Sequence, residues 1–136
     1  MGKKFETATD NLKLNMNSTF EIVTDPKTGQ QVYESKEHRL QVALSDLDQK
    51  LNWNDANAAC KALGEGWRLP MNNELKILHE EFFKLNLGNF EESWYWGEYD
   101  NWKSAYVTFL SQSSSEINCF ITDNFRLKKS RPVRSI

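Results

Sequence analysis

The sequence predicts an α+β domain in which two helices pack on a small twisted, mainly antiparallel sheet with long loops. Three observations predict it: alternating apolar residues up to about residue 44, two helical stripes between residues 54 and 85, and strand-like runs without helical period after residue 88. The length of 136 residues suits one domain. We place this domain at residues 19–136 and predict a flexible N-terminal segment at residues 1–18, which are polar and aperiodic.

The first predicted strands form a hairpin. Apolar and β-branched residues alternate with polar ones at residues 20–24, and the extended pattern resumes at residues 31–33. Between them, Pro26 and Gly29 supply turn chemistry. Alternation at residues 40–44 predicts a third short strand.

Two helices follow in the predicted order. The first is expected to be capped by Asn54 or Asp55 and to end at Gly64. Its buried stripe contains small residues, namely Ala56, Ala59 and Cys60, followed by Leu63. The second helix is predicted at residues 71–85, with His79 beside a buried stripe formed by Leu75, Leu78, Phe82 and Leu85.

Four strand-like runs complete the predicted sheet. They lie at residues 94–96, 105–110, 119–122 and 131–136, and turn clusters separate them. Because Pro132 cannot donate to a strand ladder, the last strand is expected at a sheet edge or to begin near this residue.

Composition excludes two classes of partner. The net charge of −2 and the pI near 5.7 give no general attraction to nucleic acid, and no apolar run is long enough for insertion into a membrane. Cys60 and Cys119 are too few for a disulfide scaffold, and whether they bridge stays open. Compartment also stays open: the cell surface or secretion if a leader preceded Met1, and otherwise the cytoplasm.

A set of motifs resembles a known family. In order along the chain these are Val23–Gly29, Leu51–Ala56, Cys60, Leu63, Gly66–Pro70, Glu74–Leu75, Tyr95–Trp96 and Arg131–Arg134. This set is similar to the C-terminal domain of bacterial Lcl collagen-like adhesins, a member of the C-type-lectin-like superfamily. The resemblance covers roughly residues 20–136 and implies a C-type-lectin-like fold with Trp96 and Tyr95 in the core.

The resemblance also has a departure and a limit. Met71 stands where the family usually has Thr, so the side-chain cap of the second helix is expected to be lost unless Asn72 replaces it. Trp53-Asn54-Asp55 repeats the letters of a calcium-dependent sugar-binding strand, but it precedes a helix and no partner loop exists. We therefore predict no metal site and no cofactor.

Catalysis is the alternative that we disfavour. Some proteins of similar overall fold are formylglycine-generating enzymes, whose activity depends on a cysteine pair and copper. Here Cys60 lies on the inner helical stripe and Cys119 borders an apolar strand, so both are expected to be structural. Only His38 and His79 are available for general base chemistry.

Two groups of residues are candidate binding sites. The first is an aromatic-acidic segment, and its candidate ligand-binding residues are Trp94, Glu98, Tyr99, Asp100 and Trp102. The second is a basic group for polyanions, which the likeness to adhesins engaging sulfated polysaccharides makes conceivable, and its candidate residues are Arg126, Lys128, Lys129 and Arg131. Alternation is expected to place Lys129 and Arg131 on one exposed face, although a solvated strand edge protected by charge is the more common explanation for such residues.

We therefore predict a noncatalytic recognition domain that binds a glycan or a protein through its aromatic-acidic loops. Its loops between residues 88 and 118 would form the variable surface, as in retroelement-diversified proteins. The alternatives that stay open are a formylglycine-generating-like enzyme and a structural domain that only forms homo-oligomers.

Overall fold

The structure is a computed structural model that describes residues 14–101, 104–112 and 119–136, without the side chains of residues 99–101 and 104. It is an α+β fold with two helices and two antiparallel sheets, which confirms the predicted class. In chain order the elements are β1 (Glu21–Thr24), β2 (Gln31–Ser35), β3 (Leu40–Val42), α1 (Trp53–Ala62), α2 (Asn72–Glu81), a 3-10 turn (Phe83–Leu85), β4 (Trp94–Asn101), β5 (Ser104–Phe109), β6 (Cys119–Asp123) and β7 (Val133–Ser135).

The first sheet has the strand order β1-β2-β3-β7. Its hairpin is confirmed: the Asp25 carbonyl accepts the Gly29 N–H at 2.8 Å, and Gly29 adopts φ +76°, which favours glycine. β7 begins directly after Pro132 and lies at the edge of this sheet, as predicted. The first and last parts of the chain therefore meet in one sheet.

The second sheet has the order β4-β5-β6. The outer edge of β4 is paired with the segment before β7, since the Trp96 N–H donates to the Lys129 carbonyl at 2.9 Å and the Lys129 N–H to the Trp94 carbonyl at 3.0 Å. β6 forms the other edge.

Helix α1 begins earlier than predicted. Asn52, rather than Asn54 or Asp55, is the N-cap, and its Oδ1 accepts the Asp55 N–H at 2.8 Å. Leu63, expected on the buried stripe, is 44% exposed because it follows the helix as its C-cap.

Helix α2 is shorter than predicted. It ends at Glu81, and the separate 3-10 turn contains Leu85. Met71 provides no side-chain cap, as expected, but the Glu74 carboxylate accepts the Met71 N–H at 2.8 Å. Arg68 holds that carboxylate with two hydrogen bonds of 2.7 and 2.9 Å, so half of the capping arrangement is retained.

Two apolar clusters form the core. One joins α2 to the first sheet around Phe82, whose ring lies 4.6 Å from that of Phe20 and 5.0 Å from that of Tyr33. The other packs α1 on the second sheet around Trp96. The predicted burial of Tyr95 and Trp96 is confirmed, at 1% and 0% exposure.

Residues 14–18, the end of the predicted flexible segment, attach to the first sheet. The Leu14 N–H donates to the Phe20 carbonyl at 3.2 Å, and Ser18 is buried. Within the described part of the chain, no helix has the length and apolar character needed to cross a bilayer.

Candidate functional site

One face of the second sheet carries large apolar side chains on all three strands. Trp94 of β4 lies opposite Phe109 of β5, and Val107 of β5 lies opposite Phe120 of β6. Directly opposite residues of antiparallel strands place their side chains on the same face, as do residues two apart along a strand. These four side chains therefore share a face.

Helix α1 covers only part of this face. Ala56 and Cys60 are fully buried against Trp96 and Ala105, and their small side chains let the helix lie close to the sheet. Beyond the helix, Trp94 is half-buried and Phe120 is 51% exposed. The uncovered part of the face is therefore aromatic.

A cavity of about 250 Å³ opens beside the Trp94 indole. We call it the Trp94 cavity, and it is lined by Trp94, Val107, Phe120, Ile121, Thr122 and Lys128. The Trp94 ring lies 5.2 Å from the Phe109 ring and 5.8 Å from the Phe120 ring, and these contacts fix its orientation. Pockets that enclose a whole small ligand measure about 300–1,000 Å³. The Trp94 cavity therefore suits a single side chain or ring.

Lys128 supplies the charge at this cavity. Its backbone N–H and carbonyl both pair with Leu51 at 3.0 Å, and its Nζ lies 5.4 Å from the centre of the Trp94 ring. Among the described residues, no carboxylate lies within 4.0 Å of this amine, whereas the neighbouring Lys129 pairs with Glu91 at 3.1 Å. Lys128 thus presents an unpaired cation to a ligand.

Exposed apolar residues continue from the cavity along β6 and the following segment. Of seven strongly exposed large apolar side chains among the described residues, four fall between residues 120 and 127: Phe120, Ile121, Phe125 and Leu127, at 51–69% exposure. Single exposed apolar residues are ordinary, but four within eight consecutive residues mark this segment as unusually apolar for a surface.

The predicted ligand-binding residues are not brought together. Trp94 lines the cavity, whereas the exposed Glu98 lies four residues further along β4, where its N–H donates to the Pro70 carbonyl at 2.8 Å. The side chains of Tyr99 and Asp100, and Trp102 as a whole, lie outside the described residues.

The predicted basic face is not formed, which corrects that expectation. Arg131 is 1% exposed, and its guanidinium pairs with Asp46 at 2.9 Å. Lys129 is paired with Glu91 and lies 3.9 Å from Asp46. Arg126 is 58% exposed, and Lys128 is half-buried. The reason is that Arg131 lies where the chain passes between the two sheets and meets a buried carboxylate.

The cysteines are both free. Burial raises the pKa of the Cys60 thiol to about 12, so the reactive thiolate is scarce at neutral pH. Cys119 is half-buried, and the Thr108 hydroxyl donates to its Sγ at 3.1 Å.

His79 is fully buried, as expected, with Nε2 3.0 Å from the Ser111 carbonyl. Within the described ranges, no three acidic, His or Cys side chains could hold a metal ion together.

A second cavity of about 440 Å³ lies beside Trp67. Arg134 lines this cavity, and its guanidinium lies 4.9 Å from the centre of the Trp67 ring. The same guanidinium pairs with Asp25 at 3.2 Å and donates to the Gln41 side chain. Because these groups satisfy one another, the Trp94 cavity is the better candidate site.

The described residues thus define a small α+β domain of two antiparallel sheets with an aromatic cavity at the margin of the second. No protein-family model matches the chain, and no curated protein matches it either.

Sequence reasoning missed the apolar rim of the site. Phe120 and Ile121 are consecutive, so in a strand their side chains point to opposite faces of the sheet. Because the core covers at most one face of an edge strand, at least one of these side chains is exposed. Phe125 and Leu127 then alternate with the charged Arg126 and Lys128. This pattern was the signal in the sequence for exposed apolar side chains at and after β6.

Proposed function

We propose that this protein is a noncatalytic recognition domain that binds a segment of a partner protein at the Trp94 cavity. The observation that carries the proposal is a half-buried indole beside an unpaired lysine amine in a cavity of one side chain's size. Binding sites of proteins commonly use such aromatic anchors next to a small pocket.

The ligand's chemistry follows from the lining. The indole of Trp94 and the ring of Phe120 favour an aromatic or aliphatic group, and the Lys128 amine favours a carboxylate beside it. A buried apolar anchor with an adjacent acidic group is therefore the expected feature of the partner.

A glycan is the second candidate ligand. The half-exposed face of Trp94 suits stacking on a sugar ring, but sugar recognition also needs several converging hydrogen-bonding groups. Thr122 and Lys128 are the polar residues of the lining, and the surrounding rim is apolar. A protein segment therefore fits better.

We include in this proposal the C-type-lectin-like fold and its likeness to the Lcl adhesin domain. Its support is that the shared residues act together: the Trp53 indole donates to the Gly97 carbonyl at 2.9 Å, and the Trp96 indole to the Leu51 carbonyl at 2.7 Å. Arg68 pairs with Glu74 across the second helix start. The burial of Cys60 supports a role without catalysis.

Nitrogen-15 NMR titrations test the proposal with three probes: N-acetylphenylalanine, its uncharged amide, and a methyl galactoside. We expect the acid to shift the Trp94 indole N–H and the β6 amides, with weaker binding of the amide. Lys128→Gln should reduce binding of the acid to the level of the amide, because it removes the charge and leaves the cavity intact. Arg126→Gln, which removes an exposed cation outside the cavity lining, is the matched control.

The outcomes separate the candidates. Shifts with the galactoside alone would replace the protein partner with a glycan. An acid and an amide that bind equally, or an acid that still binds Lys128→Gln as it binds the original protein, would refute the role of the cation. No shift of the Trp94 indole with any probe would reject the cavity as the site.

A further inference from the structure

We propose that a second copy of this chain pairs with the outer edge of β6, so that two three-stranded sheets become one six-stranded antiparallel sheet. The inference concerns the strand edge, and it stands apart from the ligand of the Trp94 cavity.

β6 differs from the other edge strands of the two sheets. The outer edge of β4 is paired by Lys129, and β7 is protected by Pro132 and the charged Arg134. β1 has four residues and carries Glu21. Such short, charged or proline-bearing strands resist pairing with other chains.

β6 lacks two of these protective features, although it has only five residues and carries Asp123 at its end. It pairs with β5 through five consecutive residues without a bulge, and its sequence, Cys119–Asp123, contains neither lysine nor proline. Among the described residues, none forms a bridge with its outer edge. Apart from the Asp123 carbonyl, which accepts the Arg126 N–H at 3.4 Å, its outward N–H and carbonyl groups are therefore available to another strand.

Exposed apolar side chains occur on both faces of β6. Phe120 is 51% exposed and Ile121 is 60% exposed, and as consecutive residues they point to opposite faces. A ligand in the Trp94 cavity would contact parts of Phe120 and Ile121, which both line it. A strand laid beside β6 covers side chains on both faces.

Symmetry fixes the register of a pair of identical strands. In an antiparallel pair, opposite residues lie on the same face of the sheet. A two-fold axis normal to the sheet must therefore pass midway between one residue and the same residue of the other copy. The register that pairs all five residues is centred on Ile121. Phe120 then lies opposite Thr122, and Cys119 lies opposite Asp123.

This register is compatible in charge and shape. Ile121 meets its copy on the axis, and the two Phe120–Thr122 pairs join an aromatic to a β-branched residue, both of which stabilise sheets. The one charged residue of the strand, Asp123, lies opposite an uncharged thiol, so no like charges face each other. A second copy is therefore a matching occupant of this edge.

Sedimentation equilibrium of the full chain tests the dimer, from about 1 µM to about 1 mM, which covers weak and moderate association. We expect a mass that rises from 15.9 kDa towards twice that value. Ile121→Lys should weaken association at least tenfold because it places two ammonium groups opposite each other on the axis. Leu127→Lys is the matched control, since Leu127 is 61% exposed but lies outside the strand. It should leave the association unchanged.

An engineered disulfide tests the register. Asp123→Cys places a new thiol opposite Cys119 of the other copy, within the separation that a disulfide bridges. Oxidation with diamide should then give a covalent dimer on a non-reducing gel. The same substitution combined with Cys119→Ser should give none, because the two introduced thiols lie four residues apart.

The proposal fails if the chain stays monomeric over the whole range. It also fails if the Ile121→Lys dimer is as tight as the original, or if Leu127→Lys dissociates it as well, since the contact would then be a general apolar surface. Circular dichroism of each variant shows that it is folded. Lys128→Gln should leave the mass unchanged, which separates this inference from the ligand site.

Discussion

Arg131 illustrates how a small domain accommodates a buried charge. Its guanidinium donates to Asp46 at 2.9 Å and to the carbonyls of Ala43 at 3.2 Å and Gly88 at 2.6 Å, and it lies 3.8 Å from the centre of the Phe90 ring. The planar fork of arginine suits several fixed acceptors at once. This side chain therefore ties two loops, the one after β3 and the one before β4, to the C-terminal segment.

We predict that Arg131→Leu lowers the free energy of unfolding by about 3–5 kcal/mol. It removes the hydrogen bonds to the Ala43 and Gly88 carbonyls, and it leaves the Asp46 carboxylate, 11% exposed, with Lys129 at 3.9 Å as its cation. Urea unfolding at neutral pH measures this. The control is Arg126→Leu, which removes an exposed arginine whose partner Asp123 is 3.9 Å away. That change should cost less than about 1 kcal/mol. Equal losses in the two variants would contradict the structural role of Arg131.

Glu81 connects α2 to the first strands. Its carboxylate accepts hydrogen bonds from the Thr19 N–H and hydroxyl at 2.5 and 2.7 Å and lies 2.6 Å from His38 Nε2. Burial of the carboxylate raises its pKa, but the hydrogen bonds from Thr19 and His38 outweigh burial, so the net pKa is lowered. The ionised form is therefore the one that the fold stabilises.

A lowered pKa predicts the sign of a pH effect. The stabilisation from Glu81 should be fully present above the ordinary glutamate pKa of about 4.3 and lost as the pH falls through the lower folded value. Glu81→Gln should therefore be less stable than the original protein at pH 7, and the difference should shrink in acid. Urea unfolding across this range measures it.

The control for this pH effect is Glu80→Gln, because Glu80 is the exposed neighbour of Glu81. It should change stability by no more than about 0.5 kcal/mol at neutral pH. If the loss caused by Glu81→Gln were the same at every pH, ionisation of Glu81 would not be its cause.

At the scale of elements, turns depend on glycines for two different reasons. Gly29 in the first hairpin has φ +76° with open space where a Cβ would lie, so only its backbone conformation matters. Gly88, before β4, has φ +73°, and a Cβ there would lie 2.9 Å from Cδ1 of Phe82. Gly88 is therefore required for both conformation and space.

This pair predicts unequal costs for the same substitution. Gly29→Ala should cost about 1–2 kcal/mol for the left-handed conformation alone. Gly88→Ala should cost about 1–3 kcal/mol more, because it also pushes on the Phe82 ring in the core. Thermal unfolding of both variants measures the difference, and equal costs would show that the core yields freely at Phe82.

The elements themselves could be predicted from periodicity, because the buried faces of helices and strands set the pattern. Their ends could not. Asn52 competes with Asn54 and Asp55 as a cap, and only the geometry of the chain before α1 selects it. Likewise, Leu85 continues the helical stripe in sequence, but the backbone leaves the helix at Phe82, where φ is −125°.

At the scale of the whole molecule, the class of fold was predictable and the site was only partly so. Trp94 was found because aromatic density marks it in sequence. The rest of the cavity depends on which part of the sheet α1 leaves uncovered. The apolar residues from Phe120 onward indicate an exposed apolar segment, but they do not show that it lies beside Trp94. The burial of Arg131 was missed for the same reason, since its partner Asp46 is 85 residues away in sequence.

The position of β7 has a consequence for how the chain is made. The Arg68 N–H donates to the Val133 carbonyl and the Val133 N–H to the Arg68 carbonyl, both at 2.9 Å, and Leu40 lies opposite Ser135. These partners emerge from the ribosome early, yet their sheet cannot close until Val133–Ser135 has been translated. Synthesis at about 5–20 residues per second makes that wait several seconds, during which the nascent hairpin depends on chaperones or on its own solubility.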